Sequence, residues 1–283
     1  MPATIDDILS SPRTGRPIIM GILNVTPDSF SDGGQFLDAA RAVEHAGQLA
    51  AEGADVIDIG AQSTRPGSQG VDPDQQIRRL REVVPAAAAL GRLVSIDTTN
   101  AAVAEAALDW GAAIINDVSA GRADAGLLGL AGRRSVPIIL MHMLGSPRDM
   151  QIDPRYIDVV AEVRAFLSER LEAAVRAGAA RERVILDPGI GFGKTVEHNL
   201  ALLAGTGELA ALGQPVLVAP SRKRFLGVLT GQADPQRRVV GTVAACLAAY
   251  ARGATIFRVH DVAPLAEALA VTRAIDAAEH RQG

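Results

Sequence analysis

Eight short apolar runs along the chain each finish on a polar side chain: Asn24, Asp58, Asp97, Asn116, His142, Asp187, Ser221 and His260. Asp97, Asn116 and Asp187 follow stretches of Val, Ile and Leu, where a carboxylate or amide is costly unless it is partnered. A flat ligand edge could supply the partner, because two parallel N–H donors match one carboxylate in bidentate fashion. An amino-pyrimidinone has such an edge. A second set is cationic: Ser221-Arg-Lys-Arg224 follows the seventh run, and Arg258 and His260 close the eighth. Arginine meets phosphate through its planar fork. Cations at a helix start oppose the helix dipole, so a row of them there points to an anion or a ligand carbonyl being met. Each position also has a plainer reading. Polar residues end strands because strands end at the surface, 221–224 can be a solvated helix start, and 258–260 a salt-bridged strand end. It is the conjunction of the three buried polar ends that favours a ligand.

The stretch 183–195 shows the design most clearly. Val184, Ile185 and Leu186 run into Asp187, and the chain then breaks into Pro188, Gly189, Gly191 and Gly193. A short buried strand that stops at a carboxylate and a glycine loop reads as the C-terminal end of a parallel strand. Neither nucleotide motif fits. Pro188 occupies a place that a Walker loop reserves for Gly, and Lys194 that of the last Gly in G-x-G-x-x-G.

The elements that must carry these ends repeat along the chain. After a polar lead-in over 1–15, strands are predicted at 17–24, 55–59, 92–97, 112–116, 136–142, 184–187, 215–221 and 254–260. Between them, Leu37, Ala40, Val43, Gly47 and Ala50 recur at helical spacing, as do Ile77, Leu80, Val83, Val84 and Ala87. Val160, Val163, Leu167, Leu171 and Ala174 do the same, and helices are predicted over 101–110 and 263–275. With no linker or composition break, one domain over 1–283 is expected, an α/β chain folded as a single (β/α)8 TIM barrel, which typically takes about 250 residues. A doubly wound sheet would normally open on a glycine-rich first turn, and the first turn here is Asn24-Val-Thr-Pro-Asp28. In a barrel the strand ends meet in one ring, and parity lets Asn24, Asp97, Asn116, Asp187, Arg258 and His260 all face inward.

Composition narrows the function classes. A formal charge of -4 with a pI near 5.8 argues against a nucleic-acid binder. Aromatic residues make up only 3%, so the core must be aliphatic and few rings can stack on a ligand. The single Cys246 excludes an intrachain disulfide and a cysteine-cluster metal site. The acidic start shows no signal peptide, and no uncharged apolar run approaches the ~20 residues of a membrane helix. A soluble, cytoplasmic protein is expected.

Taken together, Asn24-Val-Thr-Pro-Asp-Ser-Phe-Ser-Asp-Gly-Gly34, Ser63-Thr-Arg-Pro-Gly67, Ser95-Ile-Asp-Thr98, Asn116-Asp-Val-Ser119, Met141-His-Met143, Leu186-Asp-Pro-Gly-Ile-Gly-Phe-Gly-Lys194, Ser221-Arg-Lys-Arg-Phe225 and Arg258-Val-His-Asp261 resemble the segments, in order, of the dihydropteroate synthase family of pterin-binding barrels. The resemblance implies a reaction of folate biosynthesis. The amine of p-aminobenzoate displaces diphosphate from (7,8-dihydropterin-6-yl)methyl diphosphate and gives 7,8-dihydropteroate. It implies that Asp97, Asn116, Asp187 and Lys223 hold the pterin, with Asp187 on the amino-pyrimidinone edge. Asn24 would bind a Mg²⁺ carried by the diphosphate, and Arg258 and His260 the diphosphate itself. Thr64 and Arg65 would lie near the leaving group, and Phe192 on the p-aminobenzoate side. Arg65, Lys223, Arg258 and His260 are thus the candidate catalytic groups. A homodimer and sulfonamide binding are implied too. Departures are Gln62, where a Glu commonly stands, and Ala219-Pro220, where Gly and a small residue usually precede Ser-Arg-Lys. The alternative is a related barrel that passes a methyl group from a folate to a corrinoid protein. It would share the pterin-side Asp and Asn but need no diphosphate site.

Overall fold

Alternation along each strand decides what fills the centre of the molecule. The computed structural model describes residues 3–25, 35–63 and 70–279. Its strands are β1 (Ile18–Asn24), β2 (Val56–Gly60), β3 (Leu93–Asp97), β4 (Ile114–Asp117), β5 (Ile138–Met141), β6 (Val184–Asp187), β7 (Leu217–Val218) and β8 (Ile256–Val259). All pairings are parallel, in the order β6-β5-β4-β3-β2-β1-β8-β7. The circle closes where Leu186 bridges Val216 and its N–H donates to the Pro215 carbonyl at 2.9 Å. β7 is shorter than the predicted 215–221 because Pro215 and Pro220 carry no N–H for a ladder.

Inward-facing Ile18, Met20, Val56, Ile114, Ile139, Ile185, Leu217 and Ile256 form the apolar interior. The outward residues pack under the helices in a second, larger cluster. The helices are α1 (Ile5–Thr14), α2 (Gln35–Ala51), α3 (Pro73–Ala88), α4 (Ala101–Asp109), α5 (Gly126–Arg134), α6 (Val159–Arg176), α7 (Val196–Ala204), α8 (Thr206–Ala210), α9 (Arg224–Thr230), α10 (Val239–Tyr250) and α11 (Val262–Glu279). The predicted (β/α)8 barrel is what the chain forms.

Three local expectations are corrected. The polar lead-in is a helix: Thr4 and Asp7 cap α1 reciprocally, and Ile8 is buried among the interior residues of the strands' N-terminal half. Ser11 fastens it, its hydroxyl 2.8 Å from that of Thr255. The short polar stretches around Ile8 hid a plug for the barrel floor. The buried face of α2 is Ala42, Ala46 and Leu49, and Ala40 is exposed. Leu49 sets that phase by packing over Gly21 of β1, where a Cβ would lie 3.2 Å from its Cδ2. Finally, α5 was not anticipated because Gly126, Gly129 and Gly132 weaken its helical pattern. Gly132 is required there, since a Cβ would come within 2.6 Å of the Gly178 backbone.

Candidate active site

Polar side chains replace the apolar interior at the C-terminal ends of the strands. Asp58 sits in mid-β2, facing inward like Val56 two residues before it. Its Oδ2 accepts from Arg258 Nε at 2.6 Å and from Asn116 Nδ2 at 3.1 Å. Arg258 Nη2 donates to Asp97 Oδ2 at 2.8 Å. One guanidinium from β8 thus spans carboxylates of β2 and β3, and the amide of β4 joins them. Asp58 is fully buried and Asp97 is 6% exposed. Burial pushes the Asp97 carboxyl up to about 7 despite the opposing charge of Arg258, and Asp58, Asp117 and Asp187 push it the same way. Burial alone would depress Arg258, but Asp58 and Asp97 outweigh it and keep the guanidinium firmly protonated.

Asp187 ends β6 beside this group. It is buried, which raises its carboxyl, while the Lys223 charge and a 2.7 Å bond from Gly189 N–H to Oδ1 pull it back. Lys223 is pushed down to about 7 by burial, with Asp187 opposing. Its Nζ donates to the Ile190 carbonyl and lies 4.5 Å from the Phe192 ring centroid. The turn depends on Gly189, which has φ +67°, and a Cβ there would lie 1.9 Å from the His142 carbonyl oxygen. Gly189→Ala should therefore cost about 2 kcal/mol or more of stability. The check is the denaturant midpoint, and a variant as stable as the parent would contradict the tight contact.

Two of the cations at the start of α9, Arg222 and Lys223, have protein partners. Arg222, at φ 59°, donates to Asp261 through Nε at 2.9 Å and Nη2 at 2.6 Å. The plain reading of Arg258 as a salt-bridged strand end also holds, but its partners are the buried carboxylates of the candidate site. Ser221 Oγ accepts from the His260 N–H at 3.1 Å and lies 3.0 Å from His260 Nδ1. Since the hydroxyl has its own proton to give, this pairing favours the tautomer with the ring proton on Nε2.

Asn24, Asp97, Asn116, Asp187, Lys223, Arg258 and His260 thus all lie at the C-terminal strand ends or in the turns just beyond them, on the face expected. Thr64 and Arg65 fall outside the described residues. Gln62, at the Glu position, accepts from Val71 N–H and Gln76 Nε2, both at 3.0 Å. Sequence reasoning named Asp58 as a strand end but left it out of the site; its parity with Val56 was the available signal. It missed Asn199, whose Oδ1 accepts from Gly191 N–H at 2.6 Å, because nothing in 196–204 marks that side chain as turned inward.

Mg²⁺ asks for oxygen donors in near-octahedral geometry and keeps several waters. Among the described residues no group of three His, Cys, Asp or Glu side chains could cage a metal. The half-buried amide of Asn24, paired in register with Gly60, suits an ion that keeps water and takes most of its oxygens from a phosphate.

Against this geometry stand the likenesses to known proteins. The family model described as pterin binding enzyme matches residues 20–260. The dihydropteroate synthase of Neisseria meningitidis serogroup B is 48% identical over 265 residues, covering 92% of this chain and 93% of its own. Dihydropteroate synthase of Xanthomonas albilineans, solved with 4-aminobenzoic acid, superposes with a TM-score of 0.88 at 48% identity, over 93% of this chain and 94% of that one. The same enzyme with 7,8-dihydropteroate gives a TM-score of 0.84 at 44% identity, over 97% and 96% of the two chains. An acid–amide floor for a heterocycle, a preformed glycine turn and full-length likeness agree: the chain belongs to the pterin-binding enzyme family, among the dihydropteroate synthases.

Proposed function

We propose that the dihydropterin lies flat over Asp58, Asp97, Asn116 and Asp187, with its diphosphate towards β1 and β8. The chain is a transferase that joins p-aminobenzoate to the pterin methylene. In that reaction the methylene C–O bond breaks, diphosphate leaves, a C–N bond forms to the aniline nitrogen, and that nitrogen loses a proton. The observation that carries the reading is the single Arg258 bridge between Asp58 and Asp97, which sets acidic acceptors for a heterocycle and a cation for phosphate within one ring.

Asp187 accepts from the amino-pyrimidinone edge, and Asn116 supports a ring nitrogen. Positive charge left on the methylene is delocalised into the electron-rich ring, so the protein needs no strong base. It must hold the pterin still and meet the departing charge. Arg258 and His260 meet it, and the family resemblance adds Arg65 and Thr64 near the leaving group. Lys223 bounds the pterin beside Asp187, and the Phe192 ring forms one wall of the p-aminobenzoate subsite. A Mg²⁺ bound at Asn24 would offset the charge of the diphosphate oxygens. The test is release of diphosphate that requires p-aminobenzoate, the pterin diphosphate and Mg²⁺. No release from folded protein, or release independent of p-aminobenzoate, would reject the reading; the former is what a barrel of folate–corrinoid methyl transfer would give.

The reading includes a homodimer in the cytoplasm, where a reduced thiol such as that of Cys246 persists. Supporting the dimer, Val228, Leu229 and Val240 are 59%, 53% and 83% exposed on α9 and α10, beside Leu200 of α7 at 42%. A Val228→Asp, Leu229→Asp double variant should run as a monomer by light scattering. A parent that is already monomeric, or a variant that stays dimeric, contradicts this.

A further inference from the structure

Lys194 has no task in the reaction as described, yet it is 4% exposed at the end of the glycine loop. Its Nζ donates to the Phe192 carbonyl at 3.0 Å and lies 3.0 Å from His142 Nδ1. Burial pushes the ammonium down to about 7, with Asp187 opposing. Burial and the charges of Lys194 and Arg122 push the His142 imidazole down to about 3, so the ring is neutral, and with its proton on Nε2 its Nδ1 accepts from the ammonium. A site that only needed filling would take Leu or Met without desolvating an ammonium.

The reason for an amine lies in the loop. Successive carbonyls at 190–193 each accept from a side chain rather than from a ladder. Ile190 takes Lys223 Nζ, and Gly191 takes Gln151 Nε2 at 2.5 Å. Phe192 takes Lys194 Nζ at 3.0 Å, and Gly193 takes Tyr156 Oη at 2.9 Å. Gly191 and Gly193, at φ +83° and +65°, give this backbone wide freedom when nothing holds it. It is fixed by side chains of the segment after β5 and of the α9 start, and by Lys194 at its own end. Of these contacts, the one at Phe192 belongs to the residue whose ring lies by Lys223.

We propose that Lys194 is a positioning residue for the arylamine substrate: by holding the Phe192 carbonyl it fixes the ring that forms a wall of the p-aminobenzoate subsite. The inference rests on the assignment of Phe192 above. Lys194 makes no hydrogen bond to the pterin floor and acts on Asp187 only through its charge, so its loss falls mainly on one substrate.

Lys194→Met and Lys194→Gln are compared with the parent by steady-state kinetics in both substrates, after circular dichroism has confirmed the fold. In Lys194→Met, KM for p-aminobenzoate should rise about tenfold, as for one lost charged hydrogen bond. KM for the pterin diphosphate should rise clearly less, since no hydrogen bond of Asp187 or Asn116 is lost. Lys194→Gln, which keeps a donor within reach of the carbonyl, should recover part of the loss. An unchanged p-aminobenzoate KM in a folded variant, an equal rise for both substrates, or failure of both variants to fold would each overturn the proposal. Failure of the functional reading is separate, because the parent itself would then release no diphosphate.

Discussion

Asp187→Ala is expected to abolish measurable pterin binding while the barrel remains folded. The side chain is 4% exposed, and one of its oxygens is committed to Gly189 N–H at 2.7 Å. Two N–H donors of a bound pterin would meet this carboxylate, each bond to a charged group being worth ~1.5–3 kcal/mol. Together they account for roughly 3–6 kcal/mol, or about 10² to 10⁴ in affinity. Deleting the carboxylate also leaves Lys223 without its nearest opposing charge, which further disfavours an ordered turn. Calorimetry with a pterin reads the loss, and far-ultraviolet circular dichroism checks the fold. Asp187→Asn, which keeps the contact with Gly189, separates damage to the turn from loss of the acceptor. Affinity unchanged in Asp187→Ala would refute the assigned role.

The second large effect follows from Arg258. Arg258→Met should destabilise the protein by about 3–5 kcal/mol, because removing one partner of a buried ion pair leaves an uncompensated charge. Here two carboxylates are left, Asp58 at 0% and Asp97 at 6% exposure. Turnover should fall with stability, since the same guanidinium is the one proposed to meet the leaving group. The resemblance gave Arg258 to the diphosphate alone, implying that pterin affinity would survive its loss. With Nε on Asp58 and Nη2 on Asp97, the arginine also shapes the pterin floor, so affinity for a pterin without diphosphate should fall as well. Combining Arg258→Met with Asp58→Asn and Asp97→Asn should recover most of the stability and none of the turnover. A single variant as stable as the parent, by denaturant midpoint, would contradict the buried-charge argument.

The barrel was legible because each strand carries its own signal. A run of Val and Ile ending on Asp97, Asn116 or Asp187 states both the direction of the strand and the face at which it stops. Parity placed the inward residues correctly, for the period of two leaves no freedom once one face is buried. What stayed hidden was set by contacts distant in sequence. Ile8 looked like an isolated apolar residue in a polar lead-in until the open floor of the barrel supplied its partners. The phase of α2 followed Gly21, which lies in β1. Asp58 was visible as an acidic strand residue, but its value came from Arg258, two hundred positions later. The side-chain ties to the glycine loop from Gln151, Tyr156 and Asn199 come from segments whose local pattern says only turn or helix.

In the function proposed, one ring of strand ends holds the heterocycle on carboxylates and its departing phosphates on cations. The most direct measurement is a crystal structure of the protein with the dihydropterin diphosphate and Mg²⁺. The amino-pyrimidinone edge is expected against Asp187, the flat ring over Asp97 and Asn116, and the diphosphate between Asn24 and His260. A pterin bound away from Asp187, or a diphosphate lying on the far side of the ring from Arg258, would contradict the account.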